Sequence, residues 1–194
     1  MIAVINYDRE ASKSLNNLFG KIGIVDEINF TDCEEEICSA DKIILPDTSN
    51  IRLTLRWMQF HNFYNLFRMI NKPILGIAGG AVMMCESISN ITGLCLGLFP
   101  VRADCSNAGE GTPVRSELEI VEETKLLKKI KSNEHFYFNN KCKVNVNEFT
   151  SSKVSISGGE YSATFEKSNL YGVMFDIVST ESGSEKILKN FTSL

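Results

Sequence analysis

Apolar residues open the chain as a short β-branched run, MIAVIN, and then recur at helical spacing as Leu15, Leu18, Phe19 and Ile22 within REASKSLNNLFGKIG. The first pattern predicts a strand and the second an amphipathic helix. The alternation repeats. DKIILP reads as a strand, IRLTLRWMQFHNFYNLFRMI as one long amphipathic segment, and PILGI as a strand feeding a helix at AVMMCES. Strands alternating with helices predict a parallel sheet with helices packed on its faces. In the second half the period shortens: LCLGLFPVRAD, SELEIVEE, HFYFNN, KVSIS, YSATFE and LYGVMF are strand-like runs separated by turn residues, with a short helix expected at ETKLLKKI. This half is expected to include antiparallel pairs. A terminal helix is predicted in ESGSEKILKNFTSL, where Ile187, Leu188 and Phe191 share a face and Ser182 or Ser184 is the expected cap.

No Pro/Gly/Ser-rich stretch divides the 194 residues, so residues 1–194 are expected to form a single α/β domain. With 43% hydrophobic and 23% charged residues, the chain has the composition of a globular protein able to bury its own core. Its net charge of -4, with acidic and basic residues interspersed, lacks the positive field that nucleic acid binding requires. No apolar run approaches the roughly 20 residues of a membrane helix. MIAVINYDRE places acidic residues directly after a very short apolar start, unlike a signal peptide, so no membrane association and a cytoplasmic location are expected. Cys33, Cys38, Cys85, Cys95, Cys105 and Cys142 form no C-x-x-C pair, and in a cytosolic chain they are expected to be free thiols acting as small hydrophobes. His61 and His135 lack cysteines at ligand spacing, so neither a metal nor a cofactor is expected.

Candidate chemistry centres on PILGIAGGAVMMCE, residues 73–86. A buried strand running through a sharp turn into a helix is how enzymes present a nucleophile, with a glycine two residues before it and another two after. Gly76 and Gly80 stand in those places, but the residue between them is Ala78, which has no nucleophilic atom. Backbone N–H groups at the helix start, Gly79 among them, would still offer an anion-friendly pocket. The alternative is that the Gly-Gly pair only permits a tight connection.

Read together, INY (5–7), DKIILP (41–46), KPILGIAGG (72–80), GLCLGLFP (93–100), HFYF (135–138), LYGVMF (170–175) and KILKNF (186–191) resemble the class I glutamine amidotransferases. Within that family they are most similar to the glutaminase subunits of imidazole glycerol phosphate synthase. The segments agree in order and rough spacing over nearly the whole chain. The resemblance implies a three-layer α/β fold with a mixed, mostly parallel sheet. In that family a cysteine within G-I-C-x-G attacks the glutamine side-chain amide, and a His and a Glu within F-H-P-E activate and orient it. Here Ala78 replaces the cysteine, and Asp176, Ile177 and Val178 stand where the family has His, Pro and Glu. The glutamine that follows the nucleophile falls at Val82, and the glycine-rich oxyanion strand reads Pro46, Asp47, Thr48, Ser49, Asn50. The pocket positions implied are therefore Asp47, Thr48, Ser49, Gly79, Gly80 and Val82. The family's P-H-M-G-W-N segment has no counterpart in EGTPVRSE, nor its G-N-L at Asp8, Arg9 and Glu10.

No substitute nucleophile is evident. Cys85 lies nearly two helical turns, about 10 Å, beyond Ala78. Thr48 and Ser49 sit in the matching loop, but a hydroxyl needs an adjacent base, and His61 and His135 are expected at the surface. Asp47 and Asp176 would approach the old pocket, either to share a proton or bind a cation, or simply as a turn residue and a cap. The resemblance thus implies a catalytically inactive amidotransferase-like protein, a partner or regulatory subunit. The alternatives are an active glutaminase subunit supplying ammonia to a cyclase-like synthase, and a small-molecule binding module using the vacated pocket for an anion or amide. Expected partners are a cyclase-like synthase subunit or a second copy, met through the face around Asp8, Asp47 and Arg115.

Overall fold

In the computed structural model, which describes all residues except 25–27, 92, 94, 107–111, 133, 140 and 180–181, the opening apolar run forms β1 (Ile2–Ile5). It leads into α1 (Arg9–Ile22), whose start is capped by Asp8, with Oδ1 accepting from Glu10 N and Ala11 N. Gly23, at φ 76°, ends the helix in a left-handed turn. β2 (Ile28–Thr31), α2 (Glu34–Ser39) and β3 (Lys42–Leu45) follow. The long amphipathic segment is two helices, α3 (Ile51–Phe60) and α4 (Phe63–Met69), because Asn62 at φ 59° breaks the ladder between them. β4 (Ile74–Ile77) then feeds α5 (Gly79–Met84).

That helix is shorter than AVMMCES predicts. Chain from Cys85 onward turns into β5 (Cys85–Ile88), which pairs in parallel with β6 (Phe99–Asp104). All six residues of α5 are buried, so no polar face marks where helix gives way to strand. The second half adds β7 (Val114–Glu117), β8 (Glu119–Ile120), β9 (His135–Phe138), β10 (Lys143–Val144), β11 (Thr150–Ile156), β12 (Gly159–Lys167) and β13 (Leu170–Val173). It closes with α6 (Ser182–Thr192). The helix expected at ETKLLKKI is instead a series of turns, with Lys129 at φ 64° and Leu126 and Leu127 turned into the core. Ser184 is not a cap: it lies inside α6, buried, with its hydroxyl unpartnered, while the side chain of Ser182 falls outside the described residues.

The main sheet has eight strands in the order β2-β1-β3-β4-β13-β12-β11-β8, parallel from β2 to β13 and antiparallel from β13 to β8. Alternation along β1 sends Ala3 and Ile5 into one apolar cluster with α2 to α5, and Ile2 and Val4 into another with α1 and α6. Helices on both faces make three layers and bury both sides of the central strands, which is why those strands read as unbroken apolar runs.

The cysteines differ from expectation. Cys105 and Cys142 form a disulfide, while Cys85 and Cys95 are buried thiols and Cys33 and Cys38 exposed ones. Among the described residues, no helix is long and apolar enough to cross a membrane.

Candidate functional site

The elbow expected at residues 76–80 is present. β4 ends at Ile77, α5 starts at Gly79, and Ala78 between them adopts φ 46°, ψ -108°, a backbone conformation that costs an L-residue roughly 1–3 kcal/mol. The neighbouring sheet and helix hold it there: Ala78 N donates to Val173 O at 2.8 Å, and Val82 N donates to Ala78 O at 3.0 Å. The flanking glycines are required by close approach. A Cβ on Gly76 would lie 2.7 Å from Ala81 Cα, and one on Gly80 would lie 2.1 Å from Leu45 O. Gly80 therefore braces the elbow against β3 and does not line the pocket that Ala78, Gly79 and Val82 border.

Residues 46–50 form the loop facing the elbow. The hydroxyl of Tyr7 donates to Pro46 O. Burial first, then the charges of Asp47 and Asp8, hold that phenol protonated far above its usual range, so it is a fixed donor. Ser49 donates from both its N and its Oγ to Asp8 Oδ2 at 3.0 Å, and the Oγ1 atoms of Thr48 and Thr54 lie 2.7 Å apart. Asp47 does more than take a turn: its Oδ1 accepts from Thr48 N and from Gly79 N, each at 2.8 Å. The N–H expected to be left open for an anion is thus already bonded to a carboxylate of the chain itself. Burial lifts the Asp47 carboxyl above its ordinary range and the charge of Asp176 adds to this, while the Gly79 and Thr48 N–H groups and Lys141 pull the other way.

Asp176 enters the same pocket. Its N donates to Tyr137 O at 2.7 Å and its Oδ1 accepts from Val178 N at 2.9 Å, the turn-forming role that aspartate favours. Among the described residues, no group of three or more His, Cys, Asp or Glu side chains is arranged to hold a metal ion. The pocket has a volume of about 340 Å³, and among the described residues Asp8, Glu10, Asp47 and Asp176 line it together with one cation, Lys141. An anionic ligand would face these carboxylates, contrary to the anion-friendly site expected from the helix start alone.

The hydroxyl of Ser49 and the thiol of Cys85 are respectively engaged and buried. Ser49 donates to Asp8, whose carboxyl, although burial pushes it up, is held low by the N–H of Ser49, that of Ala11 and the Ser49 hydroxyl, and is therefore a weak base. Cys85 is buried with Sγ 3.7 Å from Ala81 O, and burial pushes its thiol far above the usual range. His61 is half-buried rather than at the surface, its ring 4.2 Å from that of Trp57 and its Nδ1 2.8 Å from Trp57 O. His135 is also half-buried, 3.5 Å from Glu117. Neither histidine borders the pocket. Glu10, Asn139, Lys141 and Cys142 do, and sequence reasoning missed them as pocket residues. The last three belong to a short connection between strands that carries no motif. Arg115 lies on β7 opposite Tyr137, one strand removed from Asp176, and Gly111 of the same segment is outside the described residues.

No protein-family model matches the chain. Over 202 residues it is 25% identical to the imidazole glycerol phosphate synthase subunit HisH of Bacteroides fragilis, covering 100% of this chain and 99% of that one. It is 28% identical over 193 residues to the HisH subunit of Haemophilus influenzae, covering 98% and 96%. Among solved structures, it superposes on a glutamine amidotransferase with a TM-score of 0.70 at 12% identity, covering 98% of both chains. It also matches PurLQS of Thermotoga maritima with a TM-score of 0.71 at 14% identity, covering 99% and 97%. The chain is similar to HisH subunits over nearly the whole of both chains, and its fold is that of the class I glutamine amidotransferases.

Proposed function

We propose that this homologue of HisH, one domain over residues 1–194, has no glutaminase activity of its own and serves as a partner or regulatory subunit. The carrying observation is the Asp47 carboxylate on the Gly79 N–H, beside the bare methyl of Ala78. By the family resemblance, Ala78, Asp176 and Val178 stand at the positions of nucleophile, base and orienter, and the Gly79 amide is the one that stabilises the oxyanion. An oxyanion donor normally contributes about 2.7–4 kcal/mol to such a transition state. A second negative charge about 4 Å from an ionised Asp47 would be opposed by roughly 4 kcal/mol at an effective dielectric of 20. The interaction that drives the family's chemistry is therefore cancelled even before the missing thiol is counted. Triad members act as a unit, so their loss leaves at most a residual rate enhancement of about 10³–10⁴ over water.

The relatives are named as subunits of a synthase, which supports a synthase-type partner or self-association through the face around Asp8, Asp47 and Arg115. A cytoplasmic subunit fits this reading. In that compartment disulfides are rare and usually redox-sensing, a point that bears on Cys105 and Cys142.

Ammonia release from glutamine, measured with and without an imidazole glycerol phosphate synthase cyclase subunit, is expected to stay at the buffer blank. Release above the blank that is abolished by one substitution in the pocket would overturn the proposal in favour of an active glutaminase. The pocket of about 340 Å³ also supports small-molecule binding without turnover, and its acidic lining favours an amide or a compact amine over an anion. A melting temperature raised by glutamine or primary amines but not by inorganic phosphate is the expected signature of such binding.

A further inference from the structure

The segment between β9 and β10 forms one wall of the pocket through Asn139, Lys141 and Cys142. Its two ends are anchored. On one side β9 pairs with β7, and Tyr137 bridges to Asp176. On the other, Asn145 bridges to Tyr161 and its carbonyl accepts from Ser162 Oγ at 3.0 Å. Between them, β10 has only two residues, paired with Asp104 and Ala103 of β6. The Cys105–Cys142 bond extends this short ladder by one further position and ties the wall to β6. Cys105 is buried, but Cys142 borders the pocket, so a small reductant has a route to it.

We infer that the Cys105–Cys142 bond is a redox latch on the pocket wall: oxidised, it holds Lys141 and Cys142 in the pocket lining, and reduced, it lets this wall move away. The inference stands on the position of the bond and holds whether or not the pocket is catalytic. Reduction uses an external dithiol. One of its thiolates attacks Cys142 Sγ and expels the Cys105 thiolate, which takes a proton. Its second thiol then displaces the Cys142 thiolate, which is protonated in turn, leaving two protein thiols and an oxidised reductant. The consequence for the pocket is electrostatic, because Lys141 is its one cation among the described lining residues and its charge reaches Asp47.

Dithiothreitol on the folded, oxidised protein tests this. Before reduction, iodoacetamide should label only the exposed Cys33 and Cys38; after it, two further sites should label. Amide hydrogen exchange should accelerate at least tenfold in peptides covering 139–145 while peptides covering 74–84 stay unchanged. The paired variant Cys105→Ser/Cys142→Ser should show the reduced pattern and ignore dithiothreitol. Labelling of four sites before reduction would overturn the inference. So would no new labelling after it, unchanged exchange at 139–145, or acceleration spread evenly over the chain. If the paired variant fails to fold, the wild-type comparison alone decides.

Discussion

Gly80→Ala is the smallest change that probes the elbow. A Cβ at Gly80 would lie 2.1 Å from Leu45 O and 2.6 Å from Pro46 O, both well inside the 3.4 Å at which ordinary contact begins. Both atoms are backbone at the end of β3, a strand paired to β1 on one side and β4 on the other, so neither can swing aside. Overpacking costs about 1–3 kcal/mol, and a clash with fixed backbone belongs at about 3. Against this, alanine is favoured over glycine within a helix by up to about 1 kcal/mol. The net loss is about 2 kcal/mol, or a fall in melting temperature of about 4–8 °C for a chain of this size. Gly20→Ala is the matched control: it also lies in a helix, a Cβ there meets nothing within 4 Å, and only the propensity gain of about 0.5–1 kcal/mol remains. Calorimetry and urea titration should therefore give opposite signs for the same chemical change at two glycines, with urea slopes unchanged. A Gly80→Ala protein as stable as its parent, beside a Gly20→Ala protein that gains stability, would refute the close approach of elbow and β3.

Ala78→Gly removes the Cβ from a strained conformation and should be neutral or stabilising by up to about 1 kcal/mol; a calorimetric loss beyond about 1 kcal/mol would contradict the strain. Asp47→Asn keeps an acceptor for Gly79 N while deleting a charge that burial penalises. Because burial raises the folded-state pKa of Asp47, ionisation destabilises the fold as pH rises through that value. The variant's advantage in urea midpoint should therefore be full at pH 8 and vanish below the unfolded value of about 3.9, whereas a pH-independent difference would count against it. Ala78→Cys should release no ammonia, and its thiol should alkylate with an apparent pKa no lower than about 8.5, since carboxylates outnumber Lys141 in the pocket and no histidine borders it; a value below about 7 would reveal an activating group.

The parallel half of the sheet and the elbow were legible because they rest on short-range pattern: β1, β3 and β4 are runs of apolar residues closed by turns, and Gly76 and Gly80 bracket Ala78 at fixed spacing. Helix boundaries failed where pattern was lost. VMMC is buried on every side, so nothing in its order separates α5 from β5, and the leucines of ETKLLKKI reach the core from turns. α2 opens with Glu34, Glu35 and Glu36 and buries only Ile37, too little for a periodic signal, and the half-buried β2 beside it was missed as well. The contacts across the pocket were not legible. Asp47 and Gly79 are 32 residues apart, and Cys105 and Cys142 are 37 apart; each pair meets only because separate strands converge. No local spacing encodes either.

The order of strands also sets an order of assembly. β4 lies between β3, which precedes it closely, and β13, which pairs Ile74 with Leu170 and Ile77 with Val173. The N–H of Ala78 finds its acceptor only at Val173. During synthesis the elbow therefore stays open until nearly a hundred more residues have left the ribosome, and one flank of an apolar strand stays unpaired for that time. Long-range parallel pairing of this kind is slow and leaves strand edges exposed to other chains. A nascent chain arrested before β13 should be the aggregation-prone form of this protein and a natural client for chaperones, whereas one that has passed Val173 closes its central sheet.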